Sequence, residues 1–300
     1  NFHLSERPIV LIISQSALPL IVLPELEAPK LQGVDIQIEG ITYTDNPETW
    51  QGAFIHAAKT AGLSGKKVAV DENELRLLEH RLLESAAQGA SFVSFAAGFS
   101  ELRICKDETE IAFMQQAAVI AEGAFEAIQN SIIVGITEKE LAAELTMQLY
   151  RQGSDPELPF QLHVSSGENS ANPHAMPTER ILQQGDLVLF DWGARFNGYC
   201  SDITRTVALG EIDDELKHIY DVVLKANQAG RETAKNGISA GEVDKAARAV
   251  IDGYGYGKYF IHRLGHGLGM MGHEPPYIFA GNNLVLKTGM VHTIEPGIYL

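Results

Sequence analysis

Asp186–Thr206 reads DLVLFDWGARFNGYCSDITRT, and its reading decides the fold of the second half of the chain. Leu187–Phe190 is a short apolar run of the kind that forms a buried strand. Asn197-Gly198 is the strongest two-residue hairpin signal, because both turn positions need φ > 0. With that turn at the tip, Phe196 pairs with Tyr199, Asp191 falls opposite Thr204, and Asp202 falls opposite Gly193. Directly opposed residues share a face, and so do residues two apart on one strand. Asp191 and Asp202 therefore point to one side as diagonal neighbours, roughly 7–8 Å apart at the backbone. Two carboxylates so close repel unless something positive lies between them. A pair of metal ions about 3.5–4 Å apart fits. Gly193, with no side chain, leaves room opposite Asp202.

Two further stretches supply donors of the same kind. Tyr259–Glu274, YFIHRLGHGLGMMGHE, sets His262, His266 and His273 among glycines, which let the backbone approach something closely. The spacing is not that of the HExxH zinc helix. His266, between Gly265 and Gly267, is the ligand candidate; a histidine satisfied by backbone groups is the plainer alternative. Val291–Leu300, VHTIEPGIYL, carries Glu295 in an apolar strand before Pro296-Gly297. A buried glutamate is unfavourable unless paired or metal-bound, so a salt-bridged carboxylate is the competing reading. Asp191, Asp202, His266 and Glu295 together offer three carboxylates and one imidazole. Hard oxygen donors with one nitrogen suit Mn2+, Co2+, Fe2+ or Zn2+ better than copper. Two such ions would lower the pKa of a water and polarise a substrate carbonyl.

The 300 residues exceed what one core usually needs, so two domains are expected. The net charge of −16 argues against nucleic acid or an anionic membrane as partner, since both demand basic patches. Two cysteines, Cys105 and Cys200, imply no disulfide framework and make a reducing cytoplasm the simpler home. Pro8–Pro24 is too short to span a membrane and is interrupted by Ser14, Gln15, Ser16 and Pro19; two strands joined by a turn fit better. Asn1 is not a start methionine, no signal peptide is visible, and Gly297–Leu300 stops within what reads as a strand. The chain therefore reads as truncated at both ends.

Residues 1–105 read as a small α/β domain. Its expected strands are Ile9–Ser14, Leu20–Leu23, Val34–Ile38, Lys67–Val70 and Phe92–Phe95, with a helix over Glu72–Ala87. His3, His56 and His80 are isolated and read as surface or structural residues. The boundary lies near Glu101–Asp107. Asp107 with Glu110 forms a capping box opening a helix to about Asn130, and Thr137 with Glu140 opens another ending near Gly153. Phe160–Val164 is strand-like. Ser165–Pro177, SSGENSANPHAMP, is a loop rich in turn residues that carries His174. Helices follow over Asp214–Lys235 and from Ser239 to about Ile251. The order of elements suits two related halves of one domain. His163 and His218 read as structural, and Arg205 as the partner of a carboxylate.

In this order, DWGARFNGYCSDITRT, HRLGHGLGMMGHEPP and TIEPGIY resemble the signatures of the pita-bread metallopeptidases: Xaa-Pro dipeptidases (prolidases), Xaa-Pro aminopeptidases and methionine aminopeptidases. SSGENSANPHAMP resembles the histidine-bearing loop of that family. The resemblance covers about Lys106–Leu300. It implies an α/β (α+β) chain with a pita-bread catalytic domain over 106–300, built on an antiparallel sheet whose last strands are missing. Residues 1–105 are similar in size and pattern to the creatinase-type N-terminal domain. Methionine aminopeptidases lack that domain, which favours the Xaa-Pro branch.

Position by position, the resemblance implies that Asp191 binds one metal, Asp202 bridges both, and His266 and Glu295 bind the other. Glu295 would also act as general base for a metal-bridging hydroxide. His174 and His273 would contact substrate and stabilise the tetrahedral intermediate, as oxyanion donors do. His262 and Arg263 would support the site or touch substrate. The implied substrate is a peptide or dipeptide with proline second, the implied assembly a homodimer, and the favoured ion Mn2+. The family also has a fifth ligand, a glutamate in a final strand, and Leu300 precedes any such residue. Weak metal binding and low turnover are expected of the 300 residues alone. The competing readings are a non-catalytic binding module on the same fold and a creatinase-like hydrolase that works without metals.

Overall fold

The computed structural model describes residues 6–15 and 17–300. His3 lies outside the described residues. The chain forms two compact units, Asn1–Phe99 and Ser100–Leu300.

In the first unit, β1 (Val10–Ile12) pairs antiparallel with β2 (Leu20–Pro24), Val10 opposite Val22. Pro8–Pro24 is thus the strand pair its polar interruptions suggest. Every residue of β2 is buried, as befits the central strand of three. β3 (Glu39–Tyr43) runs parallel to β2 after a 3-10 segment, Glu25–Gly33. The expected strand over Val34–Ile38 is thereby corrected. Those residues precede the ladder, whose first rung pairs Leu20 with Glu39. Helix α1 (Trp50–Thr60) buries Ala53, Phe54, Ala57 and Ala58, the spacing of one helical face. β4 (Lys67–Val70) and β5 (Ser91–Ser94) form a parallel pair joined through α2 (Leu77–Ala86), which starts later than the leucine spacing suggests. Helix α3 (Ala96–Ile104) follows.

The second unit opens with α4 (Glu108–Ile128) and α5 (Glu138–Arg151). Both carry complete capping boxes, Asp107 with Glu110 and Thr137 with Glu140. Glu108–Ser131 is long and apolar enough by length and composition to cross a membrane. Its stripe Ile120, Ala121, Ala124 and Ile128 instead packs into a core with Leu141, Leu145 and Leu149 of α5. The strands closing that core are β6 (His163–Ser166), β7 (Leu187–Trp192) and β10 (Ile203–Ala208), antiparallel in the order β10-β7-β6. Between β7 and β10, the short strands β8 (Arg195–Phe196) and β9 (Tyr199–Cys200) make the hairpin end.

The second half repeats the pattern. α6 (Asp214–Thr233) and α7 (Ala240–Gly253) pack over β11 (Gly265–Gly267) and β12 (Glu274–Ile278) in a separate core. The N-caps of the second helix in each half correspond. Thr137 bridges Ile181, and Ser239 bridges Val285. The backbone bonds correspond as well: Gly135 N–H to the Leu182 carbonyl (3.0 Å), and Gly237 N–H to that of Leu286 (2.9 Å). A mixed α/β unit on antiparallel strands is what the motif pattern implied.

Candidate active site

The hairpin has the register dictated by its turn. Phe196 pairs with Tyr199, and Asp191 with Thr204. Asn197 has φ +50° and Gly198 φ +84°, as a primed turn requires. Leu187–Trp192 is not buried on both faces. Val188, Phe190 and Trp192 face the core, and Asp191 faces the other way with Leu187 and Leu189. Gly193 has a more pressing reason than room: a Cβ there would lie 2.1 Å from the Ser201 carbonyl oxygen.

Two neighbours of the carboxylates fix this end of the hairpin to α4. The Trp192 indole N–H donates to the Ala121 carbonyl (2.9 Å), and its ring stacks on Phe125 with centroids 4.7 Å apart. The Ser201 hydroxyl donates to the Ala117 carbonyl, one turn earlier, at 3.0 Å. Small residues on this helix face let the strands approach closely. Asp191 and Asp202, each adjacent to an anchored residue, inherit the rigidity of the core.

His266 comes from β11. The segment after it in space is 291–295, held by bonds from Thr293 N–H to the His266 carbonyl (2.8 Å) and from Glu295 N–H to the Leu264 carbonyl (2.8 Å). Glu295 therefore sits in an extended, hydrogen-bonded segment rather than in a regular strand. Thr293 interrupts the ladder, because its hydroxyl accepts the His266 N–H (3.0 Å). The glycines beside His266 serve backbone crowding. A Cβ on Gly265 would lie 2.2 Å from the Thr293 carbonyl oxygen, and one on Gly267 would lie 2.3 Å from that of Pro275.

His266 Nδ1 lies 3.0 Å from the Gly267 carbonyl, an acceptor only, so Nδ1 carries the proton and Nε2 faces the carboxylates. Nε2 is 3.1 Å from Glu295 Oε1 and 3.4 Å from Asp202 Oδ2. Burial, then the Glu295 charge, pushes the Asp191 carboxyl up to about 6. Burial and the neighbouring Asp191 and Glu295 push Asp202 up as well. Burial alone would raise Glu295 too, but the hydrogen bond and charge of His266, with the Thr293 hydroxyl at 2.7 Å, bring it below its ordinary value. His266 is pushed down by burial and, on balance, drawn up by Glu295 and Asp202.

Of the remaining residues named from sequence, His273, His262 and Arg263 lie around this cluster. The His273 ring lies 3.9 Å from that of His266, and desolvation with the charges of His266, Arg263 and His174 pushes it down. His262 accepts or donates at Nε2 with the Tyr299 hydroxyl (3.1 Å), and its charge reaches Glu295. Arg263 stacks its guanidinium over Tyr277, 4.5 Å from the ring centroid. Arg205 does not pair with a carboxylate as expected; it donates to the adjacent Thr204 carbonyl (2.8 Å). His218 lies against Tyr254 and Tyr256, away from the cluster.

Three residues escaped the reading of the sequence. His163 stands directly opposite Asp191 and touches it electrostatically. Tyr299 reaches His262, and Thr293 reaches Glu295. The period of two along 293–299 held the signal for Thr293 and Tyr299. His163 needed the pairing of β6 with β7, which no local signal gives.

The donor set fits divalent cations. Two carboxylates reach one imidazole and a third lies within range of their charges. Asp191 and Asp202 are raised first by burial and then by neighbouring carboxylates. The histidine presents Nε2 because a backbone carbonyl holds Nδ1. Among the described residues no three donors close around a single point, and His266 Nε2 lies nearest Glu295.

Comparison with known proteins agrees with this chemistry. Residues 112–300 match Metallopeptidase family M24, and the chain belongs to that family. Over 295 residues it is 38% identical to the putative dipeptidase YkvY of Bacillus subtilis, covering 98% of this chain and 81% of that one. Over 296 residues it is 38% identical to an Xaa-Pro dipeptidase of Lactobacillus helveticus, covering 98% and 80%. The crystal structure of a dipeptidase from Pyrococcus horikoshii OT3 superposes with a TM-score of 0.89 at 37% identity, covering 99% of this chain and 81% of that one. The protein is thus a metallopeptidase, and enzymes of this family work with divalent metal ions.

Proposed function

We propose that the protein hydrolyses the peptide bond between an N-terminal residue and proline, using two divalent ions. The observation that carries this reading is the approach of Asp202 and Glu295 to His266 Nε2, with the Asp191 carboxylate close enough to feel the charges of Glu295 and His266, at the end of the hairpin. The likeness to the Xaa-Pro dipeptidase of Lactobacillus helveticus supports the choice of substrate.

Asp191, Asp202, His266 and Glu295 would together hold the two ions. Bound there, the ions supply Lewis acidity and an activated water. Glu295, oriented by the Thr293 hydroxyl, accepts the proton of the attacking water. His174 and His273 donate ring N–H groups to the carbonyl oxygen as negative charge develops on it. His273 is held neutral by desolvation and keeps one such donor. His262 and Arg263 orient the substrate around them. Mn2+ suits this oxygen-rich set best. A homodimer in the cytoplasm, with residues 1–105 as a creatinase-type domain, completes the reading.

Metal content and Ala-Pro hydrolysis, measured on the full-length protein and on Asp202→Ala, test it. About two ions per chain, and cleavage lost in the variant, are expected. A folded protein that binds no metal and cleaves nothing would shift the assignment to a binding module.

A further inference from the structure

Glu138 is the first residue of α5 and is 0% exposed. Its carboxylate is not free within that burial. The Ser166 amide (2.6 Å) and hydroxyl (2.7 Å) donate to Oε1. The Asn169 amide group (2.8 Å), the Thr178 N–H (3.0 Å) and the Thr178 hydroxyl (2.7 Å) donate to Oε2. These donors come from both ends and the interior of one loop, Ser166 to Thr178, and His174 lies inside it. Arg180 Nη1 extends the chain by donating to the Ser166 hydroxyl (2.6 Å). A further tie comes from the site itself: His163 Nδ1, opposite Asp191, lies 2.8 Å from the carbonyl of Ala175, the residue after His174.

We infer that Glu138 is a positioning residue, acting through the loop to hold His174 at the reacting carbonyl. A buried carboxylate that satisfies five donors of one loop fixes that loop's path. The His174 side chain itself is exposed and makes no such bonds. Its placement is therefore borrowed from the carboxylate behind it. The symmetry-related helix does the same for the other histidine segment. Asp244 of α7, also 0% exposed, accepts the Leu264 N–H (3.2 Å), and Arg248, paired to it, donates to the carbonyls of Phe260 and His262 (3.0 Å each). The inference rests on the proposed reading, in which His174 meets substrate.

The test compares Glu138→Gln, His174→Ala and the double variant in the full-length protein. The readouts are kcat and KM for a Xaa-Pro dipeptide, metal content, and hydrogen exchange resolved over 167–177. Glu138→Gln is expected to lower kcat about 10–100-fold with metal content unchanged. Exchange should rise in the loop while β7 stays protected. Once His174 is alanine, Glu138→Gln should reduce the residual rate by less than about twofold, because its effect runs through that side chain. An equal loss in both backgrounds, or exchange that rises throughout the unit, overturns the inference. Asn169→Ala removes one donor, keeps the carboxylate, and should give the same pattern more weakly; it serves if Glu138→Gln fails to fold. If the wild type cleaves no Xaa-Pro bond, the proposed function falls, and loop exchange alone decides whether Glu138 holds the loop.

Discussion

His266 Nε2 lies 3.1 Å from Glu295 Oε1, so the imidazole that faces the carboxylates spends its free nitrogen on one of them. Asp191 and Asp202 are left to repel each other in a site that burial makes expensive for charge. Asp202→Asn removes one negative charge from that cluster. In the metal-free protein it is expected to raise stability by about 1–3 kcal/mol, or roughly 2–4 °C in Tm per kcal/mol. In excess Mn2+ the order should reverse, since the wild type gains ligand stabilisation that the variant lacks. The pH sign follows from the folded-state value of Asp202 lying above its unfolded one. The penalty is absent at acid pH and grows as pH rises from the ordinary carboxylate range. The difference between the metal-free proteins should therefore shrink as pH falls towards about 4. Melting curves with chelator and with Mn2+ decide this, and an Asp202→Asn that melts lower in chelator contradicts it.

Two glycines of the hairpin should respond differently to alanine. At Gly198 nothing lies within 4 Å of an added Cβ, and only the φ of +84° opposes it. A cost of about 1 kcal/mol is expected there. At Gly193 the added atom would meet the Ser201 carbonyl oxygen at 2.1 Å, in backbone that bonds cannot easily move. A loss of about 2–4 kcal/mol is expected, together with loss of metal binding, because Asp202 adjoins the displaced residue. Urea unfolding of both variants separates clash from strain.

The hairpin was legible because its information is local. Asn197-Gly198 fixes the turn, the turn fixes the register, and the register sets Asp191 and Asp202 on one face. The capping boxes at Asp107 and Thr137, and the helix start at Ser239, were legible for the same reason. What stayed hidden depends on partners far along the chain. Val34–Ile38 alternates like a strand, yet the parallel ladder to β2 begins only at Glu39. Glu138 looks like a helix-opening acid, and its role becomes visible only when Ser166 and Thr178 fold back onto it. His163 looked structural until strand pairing set it against Asp191.

Trp192 tests how far the core sets the site. Trp192→Phe keeps a ring against Phe125 and removes the N–H that the Ala121 carbonyl accepts. The lost hydrogen bond and smaller ring should lower stability by about 1–3 kcal/mol. Metal affinity should fall with it, because Asp191 is the adjacent residue on the strand. Calorimetric titration with Mn2+ on the folded variant measures the second effect, and unchanged affinity would show that Asp191 is held by its strand partners alone.

Arg180 and Asp186 supply a pH test away from the metal site. The guanidinium donates from both terminal nitrogens, at 2.6 Å and 2.8 Å, and the Gln183 N–H adds a third bond to the carboxylate at 2.8 Å. Burial pushes the Asp186 carboxyl up, but the Arg180 hydrogen bonds, the Gln183 amide and the Arg180 charge together hold it below its ordinary value. A depressed folded-state value means that the stabilisation is complete above the unfolded pKa of about 3.9. It is lost as pH falls through the folded value. Asp186→Asn should therefore destabilise the protein by about 1–3 kcal/mol at pH 7. That difference should hold to about pH 4 and diminish below it. Urea unfolding of wild type and variant across this range reads the difference directly. A difference that stays constant through the acid range would assign the effect to packing around Ser166 rather than to the ion pair.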